Sequence, residues 1–108
     1  MSGALPFEIS VDALAQRRGP DVAVLDVREP WELEICRLEG SLAIPLASLP
    51  ERAAELPRDG MLVVLCHHGA RSARAVQWLR AQGFANAINL AGGIDEWARR
   101  VDPAMRTY

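Results

Sequence analysis

The chain has 108 residues, 12 basic and 14 acidic side chains, a formal net charge of −2 and a hydrophobic fraction of 50%. This composition is that of an ordinary globular protein, and it gives no general attraction to nucleic acids or anionic membranes. The longest apolar run, at 61–66, is far below the ~20 residues that span a bilayer. With no secretory signal pattern at the N-terminus, we expect one cytoplasmic domain covering residues 1–108.

Strand-like and helix-like segments alternate along the chain, separated by Gly, Pro and Asp. The predicted strands, in chain order, lie at 7–9, 21–27, 41–45, 61–66 and 86–90. The predicted helices lie at 11–18 with Ser10 as cap, at 30–35, from Leu46 or after Ser48, from Ser72 as cap to Gly83, and at 94–100.

This alternation predicts an α/β domain with right-handed crossovers and a mainly parallel sheet. Ligands of such sheets bind beyond the carboxyl ends of the strands. Three segments follow predicted strands in this way: Asp26 to Arg28, the residues from Cys66 onward, and Ala91 to Gly93. We therefore expect all three on one rim, with Cys66 at its centre.

The most informative stretch is LVVLCHHGARSAR at 62–74, in which an apolar run ends on Cys66. Gly69 permits a positive φ, so the N–H groups of positions 67–72 can turn toward one point. The helix predicted from Ser72 adds its positive end, and Arg71 adds a permanent cation. These groups favour the thiolate form of Cys66, which is the nucleophilic form, and they would stabilise an anion bound to its sulfur.

Plainer interpretations stand beside this one. A cysteine that ends a buried strand is usually a small core residue, and Arg71 alone would be a solvated helix-start residue. His67 and His68 either titrate near neutral pH and assist the reaction, or point to solvent while only their amides matter. Cys36 is expected to be a partly buried thiol rather than a resolving cysteine. Two cysteines do not make a disulfide framework, and adjacent histidines without Cys-x-x-Cys favour no metal site.

Four ordered motifs give the chain a resemblance to the rhodanese-like sulfurtransferases. They are LDVREPWELEI, EGSLAIPL, CHHGARS and LAGGIDEW, at 25–35, 39–46, 66–72 and 90–97. The third resembles C-x-x-G-x-R-S, the active-site loop of that family. The resemblance implies a five-stranded, mainly parallel sheet with helices on both faces.

The resemblance also implies an activity and its residues. Cys66 would accept a sulfane sulfur from a donor such as thiosulfate, hold it as a persulfide and pass it to a thiol, to cyanide or to a protein, without a metal or organic cofactor. Asp26 and Arg28 match the family's D-V-R element and would brace the rim. The persulfide would be held by the backbone of His67, His68, Gly69, Ala70, Arg71 and Ser72. Trp31, Trp78 and Trp97 would be packing residues of the core or the rim.

Some positions depart from the family pattern. The family's Gly-His pair is Cys36-Arg37 here, and its following Pro is Glu39. Many members that use thiosulfate carry an additional Arg or Lys directly after the cysteine, where this chain has His67, so thiosulfate is expected to be a poor donor.

Other functions fit the pattern less well. Related phosphatases separate their cysteine and arginine by five residues, whereas four separate Cys66 from Arg71, which favours a single sulfur atom over a phosphate or arsenate. A non-catalytic interaction module remains an alternative, as does a relay that takes sulfur from a desulfurase. The relay is suggested by EWARRVDPAMRTY at 96–108, which resembles rhodanese domains fused to enzymes that activate sulfur carriers.

Overall fold

The computed structural model describes residues 5–108, which form one five-stranded sheet with helices on both faces. The strands are β1 Glu8–Ile9, β2 Val22–Asp26, β3 Leu42–Ala43, β4 Met61–Leu65 and β5 Ala87–Leu90. The helices are α1 Val11–Arg17, α2 Pro30–Ile35, α3 Leu49–Arg52, α4 Ala70–Ala81 and α5 Gly93–Arg100, with 3-10 turns at Leu46–Ser48 and Ala53–Glu55 beside α3.

The strand order is β1-β5-β4-β2-β3, and every neighbouring pair is parallel. The predicted fold class is thus confirmed, and "mainly parallel" becomes wholly parallel within residues 5–108. Parallel strands need long crossovers, and the helices between the strands supply them.

The central strand is β4, whose Val63 pairs with Val24 of β2 and with Ile88 of β5. Its side chains alternate between two cores, as the two-residue period of a strand requires. Val64 lies in the core covered by α3 and α4, and Val63 lies in the core covered by α1 and α5. Burial on both faces explains why the segment reads as an unbroken apolar run.

The helix starts test the capping predictions. Ser10 caps α1 as predicted, since its Oγ accepts a hydrogen bond from Ala13 N at 3.1 Å. The prediction that Ser72 caps α4 is wrong: the helix begins at Ala70, and the cap is Gly69 with a φ of 113°. Glycine reaches this left-handed conformation without steric cost, so the chain turns into the helix earlier than a serine cap would allow. Ser72 lies in the first turn, buried.

The three tryptophans differ in their burial. Trp97 is buried and Trp78 is half-buried against the core, as predicted, whereas Trp31 is 60% exposed at the rim.

Within the described residues, no helix is long and apolar enough to cross a membrane.

Candidate active site

The carboxyl ends of β2, β4 and β5 bring the three predicted rim segments together. The segment from Cys66 onward is hydrogen-bonded to the start of α5, because Ile94 N donates to Cys66 O at 2.9 Å and Asp95 N donates to His67 O at 3.1 Å. On the other side, Val27 N donates to Leu65 O at 3.1 Å. The cysteine therefore lies between the other two segments.

Cys66 follows β4 directly and is 1% exposed. Its Sγ lies 3.0 Å from Gly69 N, which donates to it, and 3.3 Å from Ser72 Oγ. We name residues 66–72 the sulfur loop. The first N–H groups of α4, which begins at Ala70, have no carbonyl partner within their own helix and carry the positive end of its dipole. The sulfur thus faces a helix N-terminus.

The sulfur loop is fixed from behind by Asn89, a buried residue of β5. Its Nδ2 donates to Gly69 O at 3.2 Å, and its Oδ1 lies 2.6 Å from Ser72 Oγ. A serine hydroxyl has one proton to donate, so Asn89 and Cys66 compete for it. Asn89 was not predicted from the sequence as a site residue, although a polar side chain inside an apolar strand is a signal for one.

The start of α5 approaches the sulfur loop so closely that only glycine fits. A Cβ on Gly93 would lie 2.5 Å from His67 O and 2.6 Å from Cys66 O. Both carbonyls point toward α5, and a trans peptide carries its C=O and N–H on opposite sides. The N–H groups of His67 and His68 consequently face away from α5. Gly93 of the LAGG segment therefore serves the geometry of the sulfur loop.

Arg71 is held by a carboxylate rather than left as a free cation. Its two Nη atoms donate to the two oxygens of Glu32 at 2.7 and 2.8 Å. The Arg71 side chain is 35% exposed and that of Glu32 is 3% exposed. Hydrogen bonds from Arg71 lower the pKa of Glu32 to about 2 despite its burial, and the same contact raises the pKa of Arg71. Glu32 is a site residue that the sequence analysis missed.

Asp26 and Arg28 form a fully buried ion pair at 2.7 Å. Burial alone would lower the pKa of Arg28, but hydrogen bonds to Asp26 and Tyr108 more than offset that effect and raise it. Arg28 also donates to Cys36 O at 2.8 Å and to the hydroxyl of Tyr108 at 3.0 Å. A buried guanidinium with these partners braces the rim and is not available to a substrate.

The two histidines occupy different environments. His67 stacks on the ring of Tyr108 with centroids 3.8 Å apart and planes at 10°, and its burial, followed by the neighbouring His68, lowers its pKa. The side chain of His68 is 65% exposed, with Nδ1 3.8 Å from Asp95. Ligand atoms of His67, His68 and Asp95 lie within 4.8 Å of one another, so these three residues are a group that could hold a metal ion. The expectation that no metal binds stays a prediction.

Cys36 is half-buried, and its Sγ lies 4.0 Å from Arg28 Nη1. It is the C-cap of α2 and has an extended backbone. The arrangement is that of the partly buried thiol that the sequence favoured.

The sequence matches a known domain family over most of its length. Residues 10–100 match the rhodanese-like domain family. A sulfurtransferase of Allochromatium vinosum is 38% identical over 100 residues, which cover 91% of this chain and 94% of that protein. A putative sulfur carrier protein of Bacillus subtilis, YrkF, is 35% identical, covering 88% of this chain and 52% of its own length.

Solved structures give the same result for the fold. A rhodanese-related protein from Thermoplasma volcanium superimposes with a TM-score of 0.80 at 37% identity, covering 87% of this chain and 92% of that one.

The chain also matches part of a larger protein by sequence. A probable adenylyltransferase/sulfurtransferase of Mycobacterium tuberculosis, MoeZ, is 39% identical over 83% of this chain, which spans only 24% of that protein. The chain belongs to the rhodanese-like domain family of sulfurtransferases.

Proposed function

We propose that this protein moves a sulfane sulfur from a donor to a thiophilic acceptor through a persulfide on Cys66. The observation that carries the proposal is the position of its Sγ, 3.0 Å from Gly69 N and at the N-terminus of α4. Donors of this kind stabilise negative charge on sulfur, both on the attacking thiolate and on the terminal atom of a persulfide.

The small space at Cys66 supports transfer of a small group. Cys66 is 1% exposed, so only a narrow end of a substrate can reach its sulfur. Four residues separate it from Arg71, and Arg71 is engaged with both oxygens of Glu32. A tetrahedral phosphate or arsenate needs more room and free donors, whereas a single sulfur atom does not. Sulfur transfer is therefore favoured over phosphatase or arsenate reductase activity.

The reaction has two displacement steps. In the first, the Cys66 thiolate attacks the outer sulfur of the donor, a new S–S bond forms, and the old bond to that sulfur breaks. The electron pair leaves with the donor remnant, which is sulfite from thiosulfate or a thiolate from a persulfide. In the second, a thiol, cyanide or a protein nucleophile attacks the terminal sulfur and the electron pair returns to Cys66. Neither step uses a metal or an organic cofactor.

The charges around the sulfur loop bear on the donor. Arg71 is compensated by Glu32 and Arg28 by Asp26, while burial lowers the pKa of His67, which favours the neutral form of its imidazole. A site with compensated cations offers little attraction to a dianion such as thiosulfate. A low-molecular-weight or protein-bound persulfide is therefore the favoured donor.

The test is to load the protein with thiosulfate, a low-molecular-weight persulfide and a desulfurase-bound persulfide in parallel. Mass spectrometry of the intact protein and its peptides should find one added sulfur on Cys66. Cys66→Ser should abolish both loading and turnover, and the matched variant Cys36→Ser should keep both. Loading on Cys36, or none with any donor, would overturn the proposal.

A sulfur relay is the second candidate, in which the acceptor is a protein. It is supported by the similarity to a putative sulfur carrier protein and to a probable adenylyltransferase/sulfurtransferase. Loaded protein should then pass its sulfur to an activated carrier protein faster than to cyanide at equal concentration. A non-catalytic interaction module would instead keep its function in Cys66→Ser.

A further inference from the structure

Tyr108 reaches the active site from the segment that follows α5. Its hydroxyl donates to Glu32 Oε1 at 2.7 Å and accepts from Arg28 Nη1 at 3.0 Å. Burial, followed by the hydrogen bond to Glu32, raises the pKa of Tyr108 to about 12, so the phenol is protonated throughout the neutral range and remains a donor.

The hydroxyl joins two ion pairs. One is the buried pair of Asp26 with Arg28, and the other is the pair of Glu32 with Arg71. We name these four residues and Tyr108 the ion-pair cluster. Tyr108 contacts Glu32, and Glu32 contacts Arg71 of the sulfur loop. A Glu32 carboxylate that is held in place therefore holds the loop at its Arg71 end.

The ring of Tyr108 acts at the other end of the loop. It stacks on His67 at 3.8 Å with planes at 10°, and it meets the exposed ring of Trp31 edge-on at 5.8 Å. His67 is the residue next to Cys66. Within residues 5–108, its buried Nε2 has no hydrogen-bond partner, and its ring packs against those of Tyr108 and His68, with centroids 3.8 and 3.9 Å away.

We infer that Tyr108 is a positioning residue for sulfur transfer, which sets the width of the sulfur loop by holding Arg71 through Glu32 and His67 through ring stacking. The inference rests on the proposed function, because it concerns the rate of that reaction. Tyr108 touches neither Cys66 nor the sulfur to be transferred; it acts through its two neighbours. Loss of its contacts therefore lowers the rate of the bound complex more than the affinity for the donor.

Two variants separate the hydroxyl from the ring. Tyr108→Phe keeps the stack on His67 and removes the bridge between the ion pairs, and Tyr108→Leu removes both. We expect the single-turnover rate of Cys66 persulfide formation at saturating donor to fall about fivefold in the first, because only part of the free energy of the two lost hydrogen bonds is expressed at the reacting sulfur. In the second it should fall about tenfold further. The half-saturating donor concentration should stay within about twofold in both.

Met105→Ala is the matched control, because Met105 lies on the same segment and packs half-buried against the core on the α1 and α5 side. It should lower the melting temperature without changing the saturating rate. A second readout needs no turnover: the amide signal of Gly69 in a ¹H–¹⁵N NMR spectrum should shift in both Tyr108 variants and stay in place in Met105→Ala.

The outcomes separate the inference from the function on which it rests. If the wild-type protein forms the Cys66 persulfide and both Tyr108 variants keep its saturating rate, the inference is wrong and the function stands. The same holds if Met105→Ala loses as much rate as Tyr108→Leu. If the wild-type protein forms no persulfide with any donor, the proposed function fails, and the positioning role fails with it.

Discussion

The two sides of the candidate active site differ in the chemical groups that line them. On the β4 side, the sulfur loop surrounds Cys66 with backbone N–H groups and the hydroxyl of Ser72. On the β2 side, the ion-pair cluster places two carboxylates and a guanidinium, those of Asp26, Glu32 and Arg28, in the interior, each at most 3% exposed. The contrast teaches that, in the proposed persulfide, main-chain groups would hold the transferred sulfur, while the paired side-chain charges keep that main chain in place.

The largest effect that tests this division should come from the fully buried ion pair. Asp26→Asn removes the counter-charge of Arg28, whose side chain is 0% exposed, and breaking such a pair typically costs about 3–5 kcal/mol of unfolding free energy. Urea denaturation measures this loss. The matched change Glu55→Gln, in the exposed pair with Arg52, should leave the midpoint unchanged. If the two variants lose equally, the buried cluster is not what braces the rim.

Acid should weaken the same side of the rim through Glu32. Its pKa is lowered from 4.5 to about 2, so its contribution is fully present above pH 4.5 and is lost as the pH falls toward 2. The contribution is on the order of 1–3 kcal/mol. Glu32→Gln should be less stable than wild type at pH 7 and should lose less on acidification.

Urea unfolding from pH 7 to pH 3 would measure both curves. Glu34→Gln, an exposed change on the same helix, is the control and should run parallel to wild type. Parallel curves for Glu32→Gln and wild type would show that Glu32 is not the titrating group.

On the main-chain side, Gly93→Ala should act through the carbonyls of the sulfur loop. The added Cβ would meet Cys66 O and His67 O at 2.6 and 2.5 Å, so the loop must shift, and we expect about a tenfold loss of persulfide-formation rate. Gly40→Ala carries a similar backbone strain, with a φ of 83° and no contact below 3.5 Å. Equal rate losses in the two variants would mean that strain, not the loop, is responsible.

The smallest effect should come from His68, an exposed side chain of the sulfur loop. The imidazole of His68 is 65% exposed, so His68→Ala should change the rate less than about twofold, whereas His67→Ala removes the stack with Tyr108. Single-turnover kinetics of the two variants measures the difference. A large loss in His68→Ala would give its side chain a direct part in the chemistry and would blur the division between the two sides.

Much of the fold could be predicted because its signals are local. The unbroken apolar runs around β2, β4 and β5 and the serine cap of α1 gave those elements within about two residues. The cap of α4 is Gly69, three residues before the predicted Ser72, since a glycine in a left-handed conformation can cap as well as a serine.

The site could be predicted only in part, for a related reason. Cys66 and its loop form a contiguous motif, whereas the partners of that motif are distant in sequence. Glu32 is 39 residues from Arg71, and Tyr108 is 76 residues from Glu32. The expectation that Arg71 adds a permanent cation to the sulfur pocket is therefore modified: its charge is present but already shared with a carboxylate that no local pattern revealed.

The strand order also has a mechanical consequence. Cys66 follows β4, which has a hydrogen-bonded neighbour on each side, while β3 on the β2 side is a two-residue edge strand. Amides of central strands open only with the whole domain, and short edge elements open more readily. We therefore expect amide hydrogen exchange to be faster in β3 than in β4, so that local opening at the β3 edge leaves the strand that precedes Cys66 in place.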